Sequence, residues 1–164
     1  MTGLAGFIVA QACNSKTLTV TDGNEVSVKN LAAIIKENNF SNQVSSQLLK
    51  WKQTDNHQET TMQYDIAICA DCLFFDDGRP ELVSCLINIL KPNGIAIVVA
   101  PRRSGTLEDF VDLITKESEY FYPAKVNCQY SERIFSRRHE LMTCNGANFN
   151  EDKDYPIMVT CTRK

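Results

Sequence analysis

Two uninterrupted apolar runs stand out along the chain, each bounded by polar sequence: Tyr64–Phe75, reading Tyr-Asp-Ile-Ala-Ile-Cys-Ala-Asp-Cys-Leu-Phe-Phe, and Ile95–Ala100. Short runs without alternation predict strands covered on both faces, as in the middle of a parallel sheet. Lys16–Thr21 alternates and is rich in β-branched residues, which predicts a strand stopped by a turn at Asp22-Gly23-Asn24. Ser45–Trp51 predicts a weaker strand, and the polar stretch 52–63 a connecting loop. Between these runs the apolar spacing is helical. Leu4, Phe7 and Ile8 predict a helix over Met1–Cys13, and Gly3, Ala5, Gly6 and Ala10 would let it lie close against a sheet. Val28, Leu31, Ala32 and Ile35 predict a second helix, closed by Asn38-Asn39. A third begins near Pro80, buries Leu82 or Val83, Leu86, Ile89 and Leu90, and ends at Lys91-Pro92-Asn93-Gly94. A fourth carries the stripe Leu107, Phe110, Val111 and Ile114, with Thr106 and Asp109 spaced as a capping box. The last third predicts a strand within Tyr122–Tyr130, a basic helix over Ser131–Met142, a polar loop to Asp154 and a closing strand over Pro156–Thr162.

Strands alternating with amphipathic helices imply an α/β fold, a mostly parallel sheet between helix layers. The long connection before the last strand lets that strand return antiparallel, the methyltransferase variant of the doubly wound fold rather than the dinucleotide-binding one. At 164 residues and 43% hydrophobic the expectation is one domain with a real core. A net charge of -3 gives no global attraction to nucleic acid. No run approaches a membrane span, and no basic region precedes a cleavable apolar core at the amino terminus. Seven cysteines, an odd number, with Cys69, Cys85 and Cys161 in apolar runs, point to reduced thiols and so to the cytosol or nucleus.

The candidate chemistry lies at strand ends, where open α/β sheets bind ligands. Asp71 closes the first apolar run, with Phe74 three residues on. Asp22, ending its strand, is suited to accept hydrogen bonds from the two hydroxyls of a ribose, in NAD as well as in S-adenosylmethionine; a ligand-free Asp-Gly turn accounts for the same residues. Trp51, the single tryptophan, suits either stacking beside an adenine or half-buried packing. Cys69 and Cys72 form a C-x-x-C, but Cys69 lies inside a strand and there is no second pair to complete a zinc site. His57 and His139 have no Ser or Cys placed as a nucleophile, so a hydrolase triad lacks support. Arg102 and Arg103, with Arg133, Arg137 and Arg138, form the basic concentration, either a docking face for an acidic partner or a solvated surface.

Four segments in order, Thr21-Asp22-Gly23-Asn24, Leu49-Lys50-Trp51, Cys69-Ala70-Asp71-Cys72-Leu73-Phe74 and Ala100-Pro101-Arg102-Arg103 followed by Thr106-Leu107, resemble the calmodulin-lysine N-methyltransferases. The resemblance runs over nearly the whole chain and is loosest between Tyr120 and Asp154. It implies a Rossmann-like class I, seven-stranded fold and S-adenosylmethionine-dependent trimethylation of a lysine of calmodulin. It further implies that Asp22 holds the ribose, Trp51 lies beside the adenine and Ala70 lies next to the cofactor. Asp71 and Phe74 match an acid-x-x-aromatic signature that receives the substrate lysine; if the basic concentration is a docking face, Arg102 and Arg103 are its candidates for binding the acidic substrate protein. In that family a strand and a glycine-rich loop come immediately before the helix that starts here at Met1-Thr2. The sequence is therefore expected to be an amino-terminally truncated methyltransferase domain. The alternative is an inactive form that serves as a binding module for calmodulin or another acidic protein.

Overall fold

The computed structural model describes residues 3–13, 15–40, 43–51, 64–144 and 148–164, so the loop expected over 52–63 lies outside the described residues. The chain forms two compact units, residues 1–55 and 56–164.

The first unit holds α1 (Leu4–Ala12), β1 (Leu18–Asp22), α2 (Glu25–Glu37) and β2 (Val44–Leu48). β1 and β2 pair in parallel, with Asp22 opposite Leu48. Phe7, Ala10, Val20, Leu31, Ile35 and Val44 make its core, and the Phe7 and Phe40 rings stack at 5.6 Å. The small residues of α1 act as expected: a Cβ on Gly6 would stand 2.5 Å from a Val20 methyl, so only glycine allows this approach. The buried face differs from the expected one, however. Phe7 and Ala10 point inward while Leu4 and Ile8 are exposed, because contact is made through the glycines and not through the bulkier apolar residues. α2 starts where Asn24 caps it, its side-chain oxygen accepting from the Val26 and Ser27 amides at 2.8 and 3.2 Å.

The second unit comprises β3 (Tyr64–Ala70), α3 (Gly78–Ile89), β4 (Leu90–Ala100), α4 (Thr106–Lys116), β5 (Lys125–Asn127), α5 (Glu132–Thr143), α6 (Glu151–Asp154) and β6 (Ile157–Thr162). Its sheet runs β3-β4-β6-β5, with β3 parallel to β4 and β6 antiparallel to both β4 and β5. The expected reversal of the last strand is therefore present. Val98, Val159 and Cys161 are fully buried on this sheet, and Leu82, Leu86, Leu107, Phe110 and Ile114 cover it from α3 and α4. Burying a side chain such as Phe110 contributes about 2–3 kcal/mol.

Three expectations are corrected here. Among the described residues β3 pairs with β4 alone, and its faces are not both covered as expected: Ile66 and Ile68 are 56% and 44% exposed. β4 begins at Leu90, so Lys91-Pro92-Asn93-Gly94 lies within the strand and not at a helix end. Proline and the left-handed Asn93 (φ 65°) are accommodated where the pairing register with β3 shifts. The capping box at α4 does not form. Gly105, at φ 104°, is the residue before the helix, the Thr106 hydroxyl donates back to the Arg102 carbonyl at 3.1 Å, and the Asp109 carboxylate pairs elsewhere.

Candidate functional site

In the first unit, the carboxyl end of β1 places Asp22 at a turn. One carboxylate oxygen accepts the Asn24 amide at 2.9 Å, and the Asp22 carbonyl accepts the Leu49 amide at 3.0 Å. That second bond draws the segment after β2 alongside, and half-buried Trp51 follows two residues later. An acid and an indole thus stand at the carboxyl ends of neighbouring parallel strands. The residues of that unit suit a nucleoside: a carboxylate for hydroxyl donors and a flat ring for a base.

In the second unit, β3 ends at Ala70, half-buried and paired with Val99, and the backbone then turns left-handed at Asp71, φ 53°. A non-glycine residue takes that conformation only when its surroundings impose it. Here the Asp71 amide still donates to the Val99 carbonyl at 2.8 Å, while Cys72 and Leu73 just behind are buried. The corner therefore turns the Asp71 carboxylate outward. Phe74 and Phe75 lie beyond it, 47% and 64% exposed, with ring centroids 4.1 Å apart.

Both oxygens of Asp71 are occupied by Arg103, whose two terminal nitrogens donate at 2.5 and 2.9 Å. Those bonds hold the guanidinium more firmly protonated than usual. The loop carrying Arg103 is unusual in its backbone: Arg103 and Ser104 are both left-handed, at φ 44° and 57°. Asp152 of α6 fixes it, its carbonyl accepting the Arg103 amide at 2.8 Å and its carboxylate the Ser104 amide at 2.9 Å. The expected basic docking face is also changed. Arg102 is paired with Glu108, Arg137 with Glu140 at 2.8 Å, and Arg138 with Glu151 while lying 5.0 Å from the Tyr155 ring. Most of these arginines meet acids of their own chain, Arg102 and Arg137 within a few residues and Arg103 and Arg138 across elements.

The two thiols flanking Asp71 interact. A hydrogen bond with Cys72, together with burial, pushes the Cys69 thiol well up, and the same bond draws Cys72 down. Burial alone raises Cys85 to about 11 and Cys161 to about 12, as expected of inert core thiols. Among the described residues no group of His, Cys, Asp and Glu is arranged to hold a metal, and no helix is long and apolar enough to cross a membrane.

The family described as lysine methyltransferase matches residues 1–117, more than half of the chain. The chain belongs to the lysine methyltransferase family. A calmodulin-lysine N-methyltransferase of Arabidopsis thaliana is 29% identical over 171 residues, covering 99% of this chain and 54% of that protein. The chain thus spans about half the length of this curated relative. Among solved structures, a predicted O-methyltransferase from Agrobacterium tumefaciens matches with a TM-score of 0.68 at 10% identity, over 99% of this chain and 70% of that one. The N-methyltransferase NodS from Bradyrhizobium japonicum, solved with S-adenosyl-L-homocysteine, matches with a TM-score of 0.58 at 15% identity, over 98% and 73%. At these identities the likeness establishes the Rossmann-like methyltransferase fold.

Two residues near Asp71 were not legible in the sequence. Arg79 is buried, and its guanidinium donates to the Leu73 carbonyl at 3.0 Å, to Asp76 at 2.9 Å and to Asp109 at 3.1 Å. It ties the segment carrying Phe74 to the start of α3 and to α4. Asp152, in a stretch expected to be loop, is the second. The signal available for Arg79 was a lone arginine in the first turn of an otherwise acidic helix start, Asp76-Asp77-Gly78-Arg79.

Proposed function

We propose that this chain serves S-adenosylmethionine-dependent methylation of a lysine side chain, and that the substrate protein is calmodulin. The observation that carries the reading is the Asp71 corner: a half-exposed carboxylate, turned out at a strand end, that already accepts two N–H bonds from a cation. Family membership supports the reaction class, and the Arabidopsis relative supports calmodulin. The bound S-adenosyl-L-homocysteine of NodS, together with the acid and indole of the first unit, supports the cofactor.

When bound, S-adenosylmethionine would supply a methyl group activated by its sulfonium. Asp22 would accept the ribose hydroxyls, Trp51 would lie against the adenine, and Ala70, small and at the strand end, would leave room beside Asp71. Asp71 attracts the lysine as its ammonium and fixes the nitrogen in position, and the exposed face of Phe74 accommodates the alkylammonium as methyl groups accumulate. The ammonium would lose its proton to solvent, and the resulting amine, held by Asp71, would be the nucleophile for the methyl group that the cofactor supplies, its sulfur leaving as a neutral thioether. The protein's contribution is alignment and charge complementarity. Arg102 and Arg103 belong to the same strand-end loop, so a role in receiving an acidic substrate protein would require them to exchange their internal partners for external ones. We place the activity in the cytosol or nucleus, in keeping with the unpaired thiols.

Calorimetric titration of S-adenosylmethionine into the 164-residue chain, followed by mass spectrometry of calmodulin incubated with both, tests the proposal. Saturable one-to-one binding and 14-dalton increments on one calmodulin lysine are expected, about 14 daltons being the mass of a CH₂ replacing a hydrogen. A chain that is folded by circular dichroism yet neither binds nor transfers would overturn the enzyme reading in favour of a binding module.

A further inference from the structure

Arg103 occupies the carboxylate that the proposed function assigns to the substrate ammonium. Its side chain is 31% exposed and that of Asp71 50%. The contact uses both terminal guanidinium nitrogens and both carboxylate oxygens, the fork geometry in which arginine outbinds a single ammonium. The presenting loop is costly to form. Two consecutive non-glycine residues are left-handed, a conformation that L side chains disfavour, and Asp152 holds them there with two hydrogen bonds. A solvated surface arginine needs no such support.

We propose that Arg103 is an internal competitor of the substrate lysine for Asp71. This rests on the reading of Asp71 as the lysine-receiving carboxylate. In the resting protein Arg103 closes the site to stray cations, and a lysine enters by displacing it. The exchange also favours release of product. Each methyl added to the nitrogen removes one N–H donor, so a methylated side chain holds Asp71 less well than the lysine did, while Arg103 offers the same two N–H bonds at every stage. Arg103 is thus a specificity residue, and Asp152 is the positioning residue that aims it.

The test uses n-butylammonium, a lysine side-chain mimic, and its quaternary analogue butyltrimethylammonium, titrated into the chain with NMR detection of the Asp71 carboxyl carbon and the Arg103 guanidinium. In wild type, the restricted rotation of the guanidinium should be lost at the same concentration that shifts Asp71. Butyltrimethylammonium should bind more weakly than butylammonium. Arg103→Gln should tighten butylammonium about fivefold, the size of a half-exposed bidentate pair. It should also narrow the gap between the two amines. Arg103→Lys, which keeps the charge but loses the fork, should fall between, and Asp152→Ala should shift in the direction of Arg103→Gln. Unchanged or weaker affinity in Arg103→Gln, or an Arg103 signal indifferent to the amine, overturns the proposal whether or not the chain methylates calmodulin. Tighter binding in a chain that transfers no methyl group would uphold the exchange and sink the catalytic reading instead.

Discussion

The carboxyl ends of β1 and β3 each carry an acid, and the two acids are held in opposite ways. Asp22 is tied to its own turn: its carboxylate accepts the Asn24 amide, and Asn24 in turn caps α2. Asp71 is tied to a side chain 32 positions away, through a left-handed backbone that faces its carboxylate outward. The first arrangement fixes one carboxylate oxygen with a backbone amide of its own turn, which suits an acceptor that must keep one orientation toward the hydroxyls of a ligand. The second leaves a carboxylate balanced by a charge that can be exchanged, which suits a substrate that must enter as a cation and leave as a weaker hydrogen-bonder. The same residue type at the same topological place is thereby held in two different ways by its partner.

The sharpest way to break this comparison is to remove each charge while keeping each shape. Asp71→Asn should lower methyl transfer at least about 100-fold and leave S-adenosylmethionine affinity within about twofold, as for a residue that acts on the substrate and not on the cofactor. Asp22→Asn keeps the oxygen that accepts the Asn24 amide, and should weaken S-adenosylmethionine about tenfold, the scale of one charge-assisted hydrogen bond. If either variant lost both properties equally, the division of labour would fail.

A smaller effect separates the braces behind the two acids. Arg79→Ala removes a buried cation with three acceptors, and should cost about 2 kcal/mol in urea unfolding while loosening Phe74. Asn24→Ala removes a helix cap and should cost about 1 kcal/mol. Equal costs, or a larger one for Asn24, would mean that the Asp71 corner is held by its buried Cys72 and Leu73 and not by Arg79.

Much of this was legible because it is local. The spacing of Val28, Leu31 and Ile35, the stripe Leu107, Phe110 and Ile114, and the long connection before Pro156 each act over a few residues or follow from chain topology, and the structure carries them as expected. The acid at the end of β3 was readable for the same reason. What failed was non-local. The run Ile66-Ala67-Ile68 has the composition of a strand covered on both faces, and nothing in it records that two of its residues stand exposed. The Arg103–Asp71 and Arg79–Asp109 pairs join residues from different elements, so the arginines read as surface charge until the fold brought their acids to them. Thr106 and Asp109 had the spacing of a capping box, but a buried arginine is a stronger partner for Asp109 than a solvated helix amide.

The one-sided pairing of β3 within its sheet divides that strand by time as well as by space. The Asp71 amide points to Val99, so by the alternation of a strand the amides of Ala67 and Cys69 also face β4, while those of Ile66, Ile68 and Ala70 face away from it, where no strand of this sheet pairs with them among the described residues. Deuterium uptake should therefore alternate residue by residue: fast at Ile66, Ile68 and Ala70, slow at Ala67, Cys69 and Asp71. A uniform rate along the strand would mean that β3 opens as a whole. The alternating pattern would make the Asp71 corner the slow end of a strand whose other side is already in exchange with water.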